Sequence, residues 1–486
     1  MGRLSMDSGT ERYRLGCVVC TCFAVLFLAA LPAQGEDWPT YQHDNQRSGI
    51  TSEQLELPLT SSWVLAPKQT PRRAWGGSPA KHDFWHSFHD LKPRVLFDRA
   101  NYATVSGDSL FFGSSSDDLL CCVEADTGVE RWVFFTEGPI RLAPTVVDGR
   151  VYAGSDDGYV YCLNAADGSL IWKYKPYPND DRIIGNERMI SVCPVRTSIM
   201  VQNGVAYFCA GVFPNEGVYI CALNTADGSV VWKHSVQISP QGYLLASTNR
   251  LYVPTGNTNP RVYSCADGGE LGSFSYGRSG GTYALIVDDK IVSGPGYDST
   301  SSDLLLAYDT QTTDLVAFVR GNQIIVAPQI SYVQTDAELS ALDRAAYFKA
   351  SKQTVDLRNR KEEIGKELRK LGPKAKGKKV DGLMDEMASI EIGMEEAAKA
   401  QAAAMLWSVP CAHPFSLILA GDHLLAGGDN EVAVYDTSNG SILWTGEVTG
   451  RAYGLAVSNG SLFVSTDRGT IHQFGDDTGA TQWRFY

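Results

Sequence analysis

The sequence is poor in what several functional classes require. Lysine and arginine number 42 against 55 aspartate and glutamate, a formal net charge of −13. A chain with that balance lacks the basic surface that general nucleic-acid binding needs. It contains no Cys-x-x-Cys-His, which excludes covalently attached haem. Beyond residue 31 no apolar run is long enough to span a bilayer. No spacing of Ser, His, Asp or Glu composes a catalytic constellation, so catalytic residues are unknown at this level.

The one long apolar run lies at the start. Arg12 and Arg14 precede Leu15–Leu31, and the small residues Ala33 and Gly35 follow. This order reads as a secretory signal peptide over 1–35, with a retained anchor as the alternative. The expected location is therefore periplasmic, cell-envelope or secreted, with no stable membrane span after cleavage. Cys17, Cys20 and Cys22 would leave with the signal. The eight remaining cysteines read mostly as small apolar core residues. An exported chain permits disulfides, and Cys193–Cys209 is a pairing the sequence leaves open.

What is abundant is glycine at turns, and it marks a repeat. Ala143 to Tyr174 reads as four short apolar runs: Thr145–Val147, Val151–Gly154, Tyr159–Leu163 and Leu170–Tyr174. The turns between them are Asp148-Gly149, Asp156-Asp157-Gly158 and Asp167-Gly168. Asp-Gly between alternating apolar runs signals a hairpin, because the turn demands positive φ. Four antiparallel strands in about 40 residues make one propeller blade. Comparable units end at Trp132, Trp172, Trp232, Phe274, Phe318, Trp407, Trp444 and Trp483, which counts eight blades over 100–486. Seven remains the alternative if the sixth is degenerate. The piece around Trp63 resembles a lone fourth strand, suited to closing the ring beside the last blade.

Two segments break the pattern. Residues 345–405 carry apolar positions at Ile364, Leu368 and Leu371, then at Leu383, Met387, Ile390 and Met394, in steps of four and three. Gly372 to Lys379 forms a basic, helix-stopping turn between the two series. This predicts a helical hairpin inserted in blade 6, with a coiled-coil seam and a basic tip. It is either a docking arm for a protein partner or a self-packed ornament. The other segment, within 36–99, holds the ring-closing strand and a cap loop. His82, His86 and His89 fall there at helical spacing, a weak zinc pattern weighed against a loop packing Trp85 and Phe88.

Aligned on the first turn of each blade, Arg141 and Arg196 occupy equivalent positions, Gln241 a third, and Arg451 one residue earlier in the last blade. These positions precede the innermost strands and should ring one mouth of the central channel. Guanidiniums there could attract a small anionic ligand, or could cap carbonyls at blade junctions. Gly277 to Gly281 fits Gly-x-Ser-x-Gly, but it joins two strands and so reads as a glycine-rich connection, not a hydrolase elbow.

The recurring Ala-x-Asp-Gly or Thr-Gly followed by Trp resembles the PQQ (pyrroloquinoline quinone) repeat. Trp38-Pro39, Asp44 and Arg47-Ser48-Gly49 are similar to the opening of exported PQQ-like propellers. The resemblance implies an all-β, eight-bladed PQQ-like β-propeller of four-stranded antiparallel blades. Two functional branches follow from it. One is the non-catalytic scaffold of the BamB type, which is the leading expectation, with no cofactor. The other is the PQQ- and calcium-dependent alcohol or sugar dehydrogenase. The quinoprotein branch would use an Asn calcium ligand, matched by Asn257 in Gly256-Asn257-Thr258-Asn259-Pro260, and vicinal cysteines, matched by Cys121-Cys122. The cysteine pair sits in a strand, where neighbours face opposite ways.

Overall fold

The computed structural model describes residues 35–74, 97–185, 188–255, 258–274, 283–294, 304–373, 375–476 and 479–486. The expected signal peptide, Asn257, the three histidines of 82–89 and the Gly277–Gly281 connection lie outside them.

Six four-stranded antiparallel sheets follow one another along the chain, each with its strands in sequence order. The first runs from Thr104–Ser106 to Glu130–Phe135 and the second from Thr145–Val147 to Leu170–Tyr174. The sixth runs from Gln323–Val326 to Met405–Pro410. The last two groups of strands are fused, because the 17-residue strand Ile442–Ser458 ends one group and begins the next. A two-stranded hairpin, Arg182–Gly185 with Arg188–Ser191, stands between the second and third sheets.

One contact explains the sequence repeat. Four fourth-strand tryptophans lie against the neighbouring sheet and donate their indole N–H to a carbonyl in that sheet's last turn, whereas Trp444 donates to Leu59 O at the entry to the strand Thr60–Ala66. Trp132 Nε1 reaches Ala165 O at 2.9 Å, Trp172 reaches Thr225 O at 2.9 Å and Trp232 reaches Cys265 O at 3.0 Å. Trp407 makes the same bond to Thr437 O at 3.0 Å. The turn glycine lies under the ring. A Cβ at Gly168 would stand 2.6 Å from Trp132, and one at Gly228 2.8 Å from Trp172. Glycine is thus required twice at this position, by positive φ and by lack of space. In the fourth and fifth sheets the register puts Gly272 and Ala317, not the expected Phe274 and Phe318, at the tryptophan position; Phe274, two residues further on, instead lies 4.6 Å from the Tyr308 ring of the next sheet.

The strand Thr60–Ala66 pairs antiparallel with Ile471–Gly475, and Trp63 Nε1 donates to Ala125 O of the first sheet at 3.0 Å. The N-terminal strand therefore occupies the outer place beside the last sheet. The C-terminal strand Gln482–Phe485, which carries Trp483, adds beyond it as a parallel fifth strand. Trp483 consequently lacks a neighbouring sheet to cover it and is 54% exposed.

Two helices separate the paired strands Glu338–Asp343 and Met405–Pro410. These are α1 (Arg344–Leu371) and α2 (Lys378–Ala403). The Asp343 carboxylate accepts from Ala346 N at 2.8 Å and caps α1. Ile364, Leu383 and Ile390 form the buried seam, flanked by Leu357, Leu368, Met387 and Met394. Leu371, the last of the periodic positions, is largely outside that seam and exposed.

All eight cysteines of the described residues are free and buried. Cys193 and Cys209 are not bridged. They lie in different cores, Cys193 among residues of the second and third sheets and Cys209 among those of the third and fourth. Cys121 and Cys122 likewise point into separate cores.

The turn glycines allow a direct test. Gly149 and Gly168 both have positive φ, but a Cβ at Gly149 meets nothing within 4 Å. Gly149→Ala should cost about 1–2 kcal/mol, the backbone penalty alone. Gly168→Ala should cost about 1–3 kcal/mol more from overpacking on Trp132. Urea midpoints of the two variants measure the difference; equal midpoints would contradict the assigned contact.

Candidate functional site: the axial end of the sheets

The first strands of the sheets share a single partner, the irregular segment 36–53. Trp38 and Val105 exchange both backbone hydrogen bonds at 2.9 Å. Val146 N donates to Pro39 O at 2.8 Å, and Asn45 Nδ2 to Val201 O at 2.7 Å. Ala246 N reaches Asn45 O at 3.4 Å and Ile286 N reaches Gln46 O at 2.8 Å. A Cβ on Gly49 would strike Ile325. Ile50–Thr51 pairs parallel with Leu419–Ala420. Ser458 Oγ donates to Glu36 O at 2.8 Å, and Glu53 accepts from the backbone of Asn459 and Gly460 at 2.9 Å. The segment thus touches the first strand of every sheet in turn.

Local sequence explains its coil. Gln42, His43, Arg47 and Gly49 all have positive φ. The Asp44 carboxylate holds the turn by accepting from Gln46 N, Ser48 N and Ser48 Oγ. Arg47 is the pin. Its buried guanidinium donates to Thr40 Oγ1, Tyr41 O and Asp44 O, and also to Ser198 Oγ and Leu244 O. It lies 5.5 Å from the Tyr243 ring centre, and Tyr41 stacks on Tyr243 at 3.7 Å. Burial pulls the Arg47 pKa down to about 10, so it remains charged at neutral pH.

Arg141 and Arg196 do converge. Arg141 Nε donates to Asp156 Oδ2 at 2.7 Å, and Arg196 Nε to Asp156 Oδ1 at 3.0 Å. Arg141 also reaches Asp98 Oδ2 at 3.2 Å and Arg72 O at 2.6 Å. All four charged side chains are buried. Burial opposes ionisation of Asp156, yet the two guanidiniums outweigh it and hold its carboxyl below the usual range. Asp98 is pushed up, chiefly by burial, with Arg141 opposing. The cluster is balanced, two cations against two carboxyls.

Gln241 is buried nearby in sequence order and donates its backbone N–H to Pro254 O at 3.1 Å. Arg451 lies apart from the Asp156 cluster. It is exposed, over the Phe415 ring at 5.4 Å. Phe415 packs on Tyr453, and Arg99 lies 4.9 Å from the Tyr453 ring centre. Tyr453 also lines a narrow cavity with Trp38, Tyr41, Tyr102 and Ser465. Among the described residues no three His, Cys, Asp or Glu side chains converge as a metal site.

Three residues of this site escape a reading by pattern. Asp156 looks like one of two turn aspartates, but Asp157 alone serves the turn, accepting from Tyr159 N at 2.9 Å. The doubled aspartate was the available signal. Asp98 belongs to no repeat unit of the sequence and carries none. Arg47 sits in a conspicuous Arg-Ser-Gly, but the contacts that tie it to the sheets, Ser198 and Leu244, are distant in sequence.

Asp156→Asn leaves two buried guanidiniums without their shared carboxylate and should destabilise by about 3–5 kcal/mol. Because the folded-state pKa of Asp156 is depressed, its share of stability is present above about pH 4 and is lost as pH falls below that. The variant should therefore show a flatter acid limb of stability against pH, measured by denaturant unfolding from pH 3 to 7.

Comparison with known proteins places this architecture. The family model described as outer membrane protein assembly factor BamB matches residues 78–346 and 397–486, leaving out most of the helical insertion. Tetrathionate hydrolase of Acidithiobacillus ferrooxidans is 31% identical over 133 residues, 24% of this chain and 25% of that protein. BamB of Escherichia coli is 28% identical over 136 residues, 26% of this chain and 32% of that protein. The chain therefore spans about a quarter to a third of these curated relatives. Among solved structures, BamB from Moraxella catarrhalis matches with a TM-score of 0.52 at 11% identity, over 86% of this chain and 100% of the other. The quinohemoprotein alcohol dehydrogenase of Comamonas testosteroni matches with 0.55 at 11% identity, over 92% and 82%. These likenesses establish a common fold, and with the repeat and the family match they show that the chain belongs to the PQQ-repeat β-propeller family described as outer membrane protein assembly factor BamB.

Proposed function

We propose that the chain is an exported, eight-bladed propeller with its helical hairpin inserted in the sixth blade, and that it works as a non-catalytic binding scaffold. The observation that carries this reading is the use of the axis. Residues 36–53 bind the first strand of every sheet, and the guanidiniums of Arg141 and Arg196 are already committed to Asp156. The interior is spent on holding the ring together, which leaves the outer surface for recognition. A relative named as an assembly factor supports the same reading.

The hairpin is the natural protein-docking element. Met384 and Ile392 stand exposed eight residues apart on one face of α2. For a small anionic ligand at the channel mouth, Arg451 and Arg99 are the better candidates. Arg451 is exposed, and the two are linked through Phe415 and Tyr453.

The quinoprotein reading has the fold in its favour, but the described residues do not compose its site. Cys121 and Cys122 enter separate cores on opposite faces of one strand, so they cannot jointly face a cofactor. Burial pushes both thiols up, Cys122 to about 11. Neither is poised for redox chemistry at neutral pH.

Titration with PQQ and calcium, followed by absorbance and thermal shift, should give no saturable change, and dye-linked alcohol oxidation should stay at background. Affinity purification should recover partners that are lost when residues 344–404 are replaced by a short turn. A calcium-dependent PQQ shift would overturn the scaffold reading.

A further inference from the structure

The charge of the chain is not evenly spread. Against a total of −13, residues 344–379 hold thirteen Lys and Arg and only four Asp and Glu. The structure shows where that positive charge is left unmatched. Along the shaft several acids are paired, Arg360 with Glu386 and Glu363, Lys361 with Glu391, and Lys366 with Glu362, while Asp381, Asp385, Glu395 and Glu396 of α2 are exposed without an ion pair among the described residues. At the tip, Arg369, Lys370, Lys376, Lys378 and Lys379 are all exposed, and none forms an ion pair among the described residues.

The arm is built to present that tip. The root of α1 is fixed to the fifth sheet: Ser351 Oγ bonds Phe318 N and O at 2.8 and 2.7 Å, and Arg358 lies 4.8 Å from the Phe318 ring centre. From Arg360 onward, the ion pairs and buried side chains described for α1 are with α2 or within α1 itself. From Arg358 to Leu371 a helix rises about 20 Å. The seam of Ile364, Leu383 and Ile390 stiffens this length.

We propose that the tip of the hairpin binds an anionic phospholipid surface. The side chains at the tip favour this over a protein pocket. Among the described residues they comprise four lysines and one arginine against one exposed carboxylate, Asp381, with Leu371 and Pro373 the exposed apolar residues and no aromatic side chain. Protein interfaces are depleted in lysine and anchored by Trp, Tyr and Arg in shaped pockets. Clustered lysines instead suit a diffuse field of headgroups. The acidic body does not oppose this contact. An arm of about 20 Å exceeds two Debye lengths at physiological salt, so the repulsion of the body is screened while the tip touches the surface. An extended polyanion such as nucleic acid would have to lie along that body as well.

This inference goes beyond the scaffold reading and stands or falls separately from it. The test uses the chain from Gly35, which forms one compact unit. Vesicles of phosphatidylcholine with 30% phosphatidylglycerol, and of phosphatidylcholine alone, are sedimented with the protein at about 0.05 M salt. Binding is expected only with the anionic lipid. It should fall more than tenfold at about 0.5 M salt, and more than tenfold on replacing Arg369, Lys370, Lys374, Lys376, Lys378 and Lys379 with Gln. A control variant, Lys68→Gln with Lys173→Gln and Lys349→Gln, should bind as the parent does. Unfolding of the tip variant should match the parent, since the replaced groups make no ion pairs among the described residues. Equal binding to neutral vesicles, or undiminished binding by the tip variant, overturns the proposal. So does a tip-dependent affinity for an acidic protein or for nucleic acid that exceeds that for the anionic vesicle.

Discussion

The fold depends on a ring of contacts that must close. Trp132, Trp172, Trp232 and Trp407 are each seated on the turn glycine of the next sheet and donate to a carbonyl beside it. The contact buries a large apolar ring and satisfies its one polar atom at the same time. A linear array would leave the first sheet's turn without a tryptophan and the last sheet's edge without a cover. Trp63, delivered from the N-terminal side, fills both vacancies by pairing with Ile471–Gly475 and bonding Ala125. Closure therefore joins chain segments some 400 residues apart.

A second closure lies at the centre. The coil of 36–53 serves backbone groups that the short first strands cannot satisfy among themselves. Arg47 fixes this coil, and the buried Arg141–Asp156–Arg196 group fixes the loops that lead into the second and third sheets. Buried charge of this kind does little for stability relative to an apolar core, but it is severely penalised when one partner is lost. It specifies how the loops meet. The same arrangement is what the proposed scaffold role rests on: the axial groups are committed to one another, which leaves the rim and the insertion as the surfaces proposed for binding.

Much of the architecture was legible because its determinants are local. Asp167-Gly168 before Trp172 announces a turn and the ring it must accommodate, and the period of Ile364, Leu368, Leu383 and Ile390 announces paired helices. The central segment was illegible for the opposite reason. Its shape rests on positive φ at Gln42, His43 and Arg47, and its partners are backbone atoms scattered from Val105 to Ser458. The arginine alignment located Arg141 and Arg196 but not the Asp156 that unites them, since that residue passes for part of a turn. Trp483 illustrates a related limit: its local pattern matches the repeat, yet Thr60–Ala66 already holds the place that the repeat assigns to it.

The central claim is that residues 36–53 hold the first strands as one unit, and native-state amide hydrogen exchange against denaturant tests it most directly. The amides of Val105, Val146, Ile286 and Leu419 all donate to this segment. The account predicts that they exchange together, only through global unfolding and with the full denaturant dependence. Their early exchange at low denaturant, while the strand amides around Trp132 and Trp172 stay protected, would show the segment detaching from an intact ring and would contradict it.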